Sequence, residues 1–342
     1  MKFITVGCGY WGINYVRVLS QLPEVEMVVV CDQSEQRLKE VQKNFPKIKT
    51  FTSVDDALSW GQYDGGVVCT NPGSHFEVTQ KILNAGTHVL VEKPITTQSE
   101  DAAKMTRLAE KKGKTLMVGH IFLFNSGVEK LKEEIINGNT GAIHYLYSRR
   151  TNLGPIRNDV NAIWDLAPHD ISIFNHLLDS SPDWVSAVGS SFLVPDKVDV
   201  GFLALHYPNN VVGNIHVSWA DPNKVRETVI VGSDQRMVFN DLSTQKVTLY
   251  KKGIAASSMP FLTYGDYQFT LRDGDILSPC LQPCEPLKEQ INHFINCINE
   301  NKTPITDGNS GINVVKVLEA ADASIKLNGA PVTINYQNGA SL

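Results

Sequence analysis

"FITVGCGYWGINYVRVLSQ", residues 3 to 21, reads as a short strand from Phe3 to Val6, a glycine-rich turn, and a helix whose Ile13, Val16 and Leu19 recur at helical spacing. The glycines fall at 7, 9 and 12. Gly7 permits the tight turn, Gly9 lets the backbone approach a pyrophosphate, and Gly12 lets helix and strand pack closely, while the free N–H groups of the helix start face the anion. The next apolar run, "VEMVVVCD", closes on Asp32, twenty residues beyond Gly12. A carboxylate at that place accepts ribose hydroxyls and repels a 2′-phosphate. Gln33, Ser34 and Glu35 follow with no arginine among them, so the spacing predicts NAD rather than NADP. The bland alternative, a strand-end turn with an incidental aspartate, has to explain both signals together.

Outward from this unit the pattern repeats. Apolar "GVVC" at 66–69 precedes a helix expected over 75–85 and closed by Gly86, then strand "HVLVE" at 88–92. A helix follows with Ser99 at its cap, Glu100 and Asp101 in its first turn, Lys111 and Lys112 in its last and Gly113 beyond, and then "TLMVG". Strands alternating with helices define an α/β fold whose first part is a Rossmann doubly wound parallel sheet, with ligands at the C-terminal ends of the strands. Thr70, Asn71 and His75 in "TNPGSH", and Glu92 and Lys93 in "EKP", sit at such ends. They join Gly7, Gly9, Tyr10, Trp11, Gly12 and Asp32 as expected cofactor contacts. Pro94 biases Lys93 toward an extended backbone that holds its ammonium off the strand end; the alternative is a solvated lysine paired with Glu92.

At 342 residues, 42% hydrophobic, the chain is long enough for two cores. The expected domains are 1–120 for NAD and 121–342 for substrate binding and oligomerisation. A net charge of −5 with no basic run gives no footprint for nucleic acid or a membrane surface. No apolar run approaches ~20 residues, and the start enters a strand directly, so a cytoplasmic enzyme with a small-molecule substrate is expected. Cys8, Cys31 and Cys69 end or follow apolar runs, as buried thiols do. Cys280 and Cys284 lack a second ligand pair, so no metal site is expected.

After about 121 the rhythm changes. A helix over 126–137 precedes strands at 142–150, 184–192, 200–207, 211–219, 225–233 and 236–241, many with period two, which predicts a large open mixed or antiparallel sheet in a second α/β domain. One face should pack on helices and the other is a candidate dimer surface. Arg149, Arg150, Arg157, Lys224 and Arg226 fall in or near the loops "RRTNLGPIRND" and "SWADPNKVR", where arginines either clamp a phosphate or form surface salt bridges. The segment 251–284 lacks periodicity and is expected to be a long loop, followed by helices over 286–300 and 308–326.

"WDLAPHD", residues 164–170, places Asp165 and His169 one helical turn apart, hence on one face. Alone it also reads as a helix start with Asp165 as cap and Pro168 in the first turn. Taken with "GCGYWG", "TNPGSH", "HVLVEKP", "DLAPH" and the late runs "EPLKEQINHFINCI" and "TPITDGNSGINVVKVLEAADAS", the chain resembles the glucose-fructose oxidoreductase, inositol dehydrogenase and MocA (Gfo/Idh/MocA) family over nearly its full length. The resemblance implies NAD(P)-linked hydride transfer at a hydroxyl or keto group of a sugar or cyclitol. It places the family's lysine on Lys93, its aspartate on Asp165 and its histidine on His169, the expected catalytic residues. His169 would accept the hydroxyl proton, Asp165 would orient it, and Lys93 would stabilise the developing alkoxide; a lysine base with a positioning histidine is the alternative.

Many members carry a Gly-Gly pair ahead of the aspartate, whereas this chain has "NDVNAIWDLAPHD". Trp164, Asn161 and Arg157 are expected to form a bulkier, more polar wall, with His120, Arg149, Arg150 and Arg226 as further substrate contacts. The resemblance is then nearest to members that act at C3 of a UDP-N-acetylhexosamine in surface-polysaccharide or lipopolysaccharide sugar biosynthesis, working as homodimers or homotetramers. A cyclitol or free-sugar dehydrogenase is the alternative. A noncatalytic NAD-dependent sensor would lack cofactor reduction with any sugar, and a metal-dependent lyase or hydrolase using His120, His169 and Asp165 would lose activity to a chelator.

Overall fold

The computed structural model describes residues 1–256 and 269–336. It divides into two units, one formed by 1–124, 285–319 and Tyr336, the other by 125–256, 269–284 and 320–335.

The first unit alternates β1 (Lys2–Val6), α1 (Gly12–Gln21), β2 (Met27–Cys31), α2 (Glu35–Asn44), β3 (Lys49–Phe51), α3 (Val54–Trp60), β4 (Gly65–Val68), α4 (Pro72–Asn84), β5 (His88–Val91), α5 (Ser99–Lys112) and β6 (Leu116–Val118). The six strands run parallel in the order β3-β2-β1-β4-β5-β6. Strands covered on both faces read as unbroken apolar runs, and "MVVVC" and "HVLV" do. α4 starts three residues earlier than expected because Pro72, lacking an N–H, suits the first helical turn. Gly12 is required by contact: a Cβ there would lie 2.0 Å from the Gly7 carbonyl oxygen.

The second unit carries α6 (Ser126–Ile136), β7 (Ile143–Leu153), α7 (Ala162–Leu178), β8 (Trp184–Ser190), β9 (Val200–Tyr207), β10 (Val211–Ser218), β11 (Ala220–Gly232), β12 (Arg236–Asn240), β13 (Val247–Tyr250), β14 (Gly253–Ala256), β15 (Phe269–Arg272) and β16 (Ile276–Leu277). Two helices, α8 (Pro286–Glu300) and α9 (Gly308–Lys326), and β17 (Val332–Thr333) follow, and short 3-10 turns lie at Ile121–Phe124 and Pro208–Asn210. A nine-stranded sheet runs β16-β13-β12-β11-β7-β10-β9-β8-β17, with β7 and β10 parallel and its other pairs antiparallel. This is the expected mixed sheet. α7 packs on β7, β9 and β10, and Gly201 allows the approach, since a Cβ there would meet Ile163 at 2.7 Å. On the other face Phe202 stacks on His216 and Trp184 on His206, with Tyr145, Val188, Phe202 and Val212 exposed.

Two expectations are corrected. The domain boundary is not a single cut near 120: the chain returns, and Leu287, Ile291, Phe294 and Ile295 of α8 join the first unit's core with Phe3 and Leu19. The segment 251–284 is not one long loop, because β14 pairs with β15 and β16 with β13; residues 257–268 of it lie outside the described residues. Among the described residues no helix is long and apolar enough to cross a membrane.

Candidate active site

The glycine turn sits at the C-terminal end of β1. Gly7 has φ +89°, and a Cβ on Gly9 would find nothing nearer than Arg37 at 3.8 Å, which leaves its backbone open to a ligand. Asp32 follows β2, only 8% exposed. Its Oδ2 accepts from Cys8 N and its Oδ1 from Ser34 N, both at 2.8 Å. Burial works against this charge, but those main-chain donors and the Arg37 guanidinium outweigh it and hold the carboxyl below the usual range. Asp32, Gln33, Ser34, Gln36, Arg37 and Glu40 line an open pocket of about 650 Å³. An ionised acceptor at the strand end, beside a turn with space over Gly9, fits the ribose and pyrophosphate of a dinucleotide.

Arg37 is the residue the sequence reading missed. Ser34 caps α2, its Oγ accepting from Arg37 N, and the first turn of that helix carries the guanidinium to 3.5 Å from Asp32. The pocket therefore offers both signs of charge. We expect NAD to bind more tightly than NADP, and Asp32→Ala to narrow the preference by about 1–3 kcal/mol. Arg37→Gln should restore part of that preference by removing the cation a 2′-phosphate would meet. Titrations of both cofactors on the three proteins check this; an unchanged ratio in Asp32→Ala would refute it.

At the ends of β4 and β5 the two turns are braced together. His75 is fully buried, with Nδ1 2.9 Å from the Pro94 carbonyl oxygen and Nε2 3.0 Å from that of Thr70. This corrects its assignment as a cofactor contact, because both ring nitrogens face main-chain oxygens. Asn71 precedes α4, and Thr70 Oγ1 accepts from Ser74 Oγ at 2.8 Å. Glu92 is buried as well: Oε1 accepts from Trp11 Nε1 at 2.6 Å and Tyr15 Oη at 2.7 Å, and Oε2 from Lys93 N at 2.9 Å. Burial pushes its carboxyl up, opposed by Tyr15, the Lys93 charge and Trp11. Tyr10, in the same glycine turn, is 93% exposed. Half-buried Lys93 also bears on His120, whose pKa is pushed down to about 3 by burial and then by the Lys93 charge. His120 is a neutral imidazole near pH 7, and neither of its ring nitrogens has a hydrogen-bond partner among the described residues.

The second unit presents the opening turns of α7. Asn161 caps the helix, its Oδ1 accepting from Trp164 N at 3.0 Å, so Asp165 lies inside the first turn and not at the cap. Pro168 is interior and leaves the Trp164 carbonyl without its helical donor. Asp165 is gripped from two sides, Oδ1 accepting from Arg157 Nη1 at 3.1 Å and Oδ2 from Trp219 Nε1 at 3.3 Å. Arg157 also bonds Asp159 through Nε at 2.9 Å and Nη2 at 2.5 Å. Trp219, at the end of "VVGNIHVSW", and Asp159 escaped the sequence reading. His169 follows one turn after Asp165, partly exposed.

Several expected substrate contacts are corrected. Trp164 is 7% exposed and its indole donates to Asp322 at 2.7 Å, so it forms no open wall. Arg150 is buried and pairs with Asp170 through Nε at 2.8 Å and Nη2 at 3.1 Å, facing α7. Arg149, one residue earlier on the same strand, faces the other side of the sheet beside His216 and Glu227. The two cannot share a phosphate. Arg226 lies 3.4 Å from Asp241. Arg157 adjoins the carboxylate four residues before His169.

The six-stranded parallel sheet with its glycine turn and strand-end aspartate, joined to a mixed-sheet unit, defines an NAD-binding oxidoreductase. Residues 1–120 match the oxidoreductase family with NAD-binding Rossmann fold, and residues 128–238 match the GFO/IDH/MocA C-terminal domain. The chain belongs to the Gfo/Idh/MocA family, and its cofactor is NAD. It is 26% identical to UDP-N-acetylglucosamine 3-dehydrogenase of Acidithiobacillus ferrooxidans over 92% of this chain and 94% of that one. It is 24% identical to scyllo-inositol 2-dehydrogenase (NAD(+)) of Bacillus subtilis over 98% and 97%. The structure of GenD2 from gentamicin A biosynthesis, in complex with NAD, shares the fold with a TM-score of 0.82 at 21% identity over 98% of this chain and 96% of that one.

Proposed function

We propose that this protein oxidises the C3 hydroxyl of a UDP-N-acetylhexosamine, in the synthesis of sugars for surface polysaccharide or lipopolysaccharide. NAD supplies the hydride acceptor. The observation that carries the reading is Asp165, hydrogen-bonded by Arg157 and Trp219, with His169 one turn further along the same face of α7. An imidazole exchanges a proton near neutral pH, and a fixed carboxylate beside it selects its orientation and stabilises its charged form. His169 takes the hydroxyl proton; Lys93 donates to the substrate oxygen as negative charge develops there. The same groups in reverse serve ketone reduction. Similarity to UDP-N-acetylglucosamine 3-dehydrogenase over most of both chains supports the substrate.

The test is a panel of nucleotide sugars and cyclitols with NAD, followed by absorbance of the reduced cofactor. Turnover of a UDP-N-acetylhexosamine is expected, with Arg157→Gln raising its KM about 10- to 100-fold and leaving NAD affinity unchanged, as for loss of a charge-assisted contact to phosphate. Turnover confined to cyclitols would support a second reading, inositol dehydrogenation. One observation favours it: Trp164 is buried, so the wall that argued against a small polyol is absent. We place the enzyme in the cytoplasm as a homodimer or homotetramer, with the exposed Tyr145, Val188, Phe202 and Val212 of the sheet as the face between copies.

A further inference from the structure

We propose that Glu92 is a positioning residue that locks the main chain of Lys93 and fastens the glycine turn to it through Trp11, so that the cofactor turn and the lysine move as one body. The inference rests on the chemical role assigned to Lys93.

Three donors converge on this one carboxylate: the Trp11 indole, the Tyr15 hydroxyl and the Lys93 amide. A carboxylate is acceptor-only, so it matches three donors without turning a donor of its own toward any of them. A buried charge is costly unless it is met by such bonds, and the Lys93 ammonium adds to them. The network is braced from behind. Tyr15 Oη accepts from Gln290 Nε2 at 2.6 Å, and Tyr15 and Gln290 are both fully buried. Gly119 makes room for the carboxyl, because a Cβ there would lie 3.0 Å from it. Lys93 is thus fixed on both sides, its N–H by Glu92 and the carbonyl of the following Pro94 by His75.

Trp11 shows the other half of the arrangement. It occupies the last position before Gly12 in the glycine turn and is 36% exposed, so core packing does not account for a tryptophan there. Its N–H is committed to a buried acceptor eighty-one residues away in sequence. A displacement of the turn on taking up a dinucleotide therefore acts on the same carboxylate that holds Lys93.

Glu92→Gln separates the two links in the full chain. The amide oxygen can replace Oε1 and keep Trp11 and Tyr15, but its NH2 group then opposes the Lys93 N–H. Without cofactor or substrate, hydrogen exchange at the Lys93 amide is expected to speed up about 10-fold or more. At saturating substrate kcat should fall about 10- to 100-fold, with KM for the sugar within about 3-fold of wild type. Trp11→Phe keeps the Lys93 bond and cuts the tether; its Kd for NAD should rise several-fold. Unchanged exchange in Glu92→Gln would overturn the lock, as would a lowered Tm with kcat retained, which marks a purely structural network. An unchanged Kd in Trp11→Phe would overturn the tether. The exchange experiment uses no sugar, so failure of every nucleotide sugar to turn over would fault the assigned reaction and leave this result standing.

Discussion

His169→Ala is expected to lower kcat by about 10³-fold or more while NAD affinity stays within a factor of about two, in line with removal of a general base. The cofactor turn belongs to the unit containing residues 1–124 and the imidazole to the unit containing α7, so binding and proton transfer are separable by measurement. Asp165→Asn should cost about 10²-fold in kcat. From sequence alone that variant looks isosteric. The structure shows otherwise, since both carboxylate oxygens accept hydrogen bonds and an amide must turn its NH2 toward either Arg157 or Trp219. A fall in Tm of a few degrees should therefore accompany the loss of rate in Asp165→Asn but be smaller in His169→Ala, a residue that is only partly buried. Trp219→Phe in the Asp165→Asn background removes one opposing donor and should recover Tm without recovering kcat. If His169→Ala keeps its rate and instead melts earlier, the histidine is a packing residue and the assigned base is wrong.

What sequence disclosed here followed the range of the interactions. The glycine turn, Asp32 and the C-terminal end of α5 were legible from local spacing, and Gly113 takes φ +60° there; Ser99, expected as the cap, is instead the first helical residue, with Gln98 at the cap position and the Ser99 hydroxyl bonded to Glu319. Lys93 was singled out by its strand-end place before Pro94, and its role with those of Asp165 and His169 by likeness to a family pattern; α7 does place the last two on one face. The misses are non-local. Arg150 and Arg149 look alike in "SRRT", yet strand alternation sends them to opposite faces, and only Asp170, twenty residues on, shows which one is buried. His75 looked like a ligand because it follows a strand end; its partners, the carbonyls of Thr70 and Pro94, are main-chain groups that no side-chain pattern reports. The apolar stripe of α8 was readable, but a stripe does not name the core it fills. Arg37 is less legible for a different reason: it lies within the first turn of α2, beyond Gln33, Ser34 and Glu35, and only the helix brings it back to Asp32.

Lys93→Met should reduce kcat about 10²- to 10³-fold, because it removes a donor whose bond strengthens as charge develops on the substrate oxygen, while methionine keeps most of the stem volume. The backbone N–H to Glu92 survives this change, so the fold of the turn should persist. The carboxylate, however, loses the ammonium that offsets its burial, and Glu92, already pushed up by burial, should shift further in the same direction. Coupling between the two residues is then measurable. If Glu92 acts through Lys93, adding Glu92→Gln to Lys93→Met should cost less than about 3-fold in kcat, against the 10- to 100-fold expected in the wild-type background. Full additivity would mean that the two side chains contribute by separate routes. A Lys93→Met protein with normal kcat and weakened NAD affinity would make the lysine a cofactor contact only, and the stabilisation of the alkoxide would have to come from another donor.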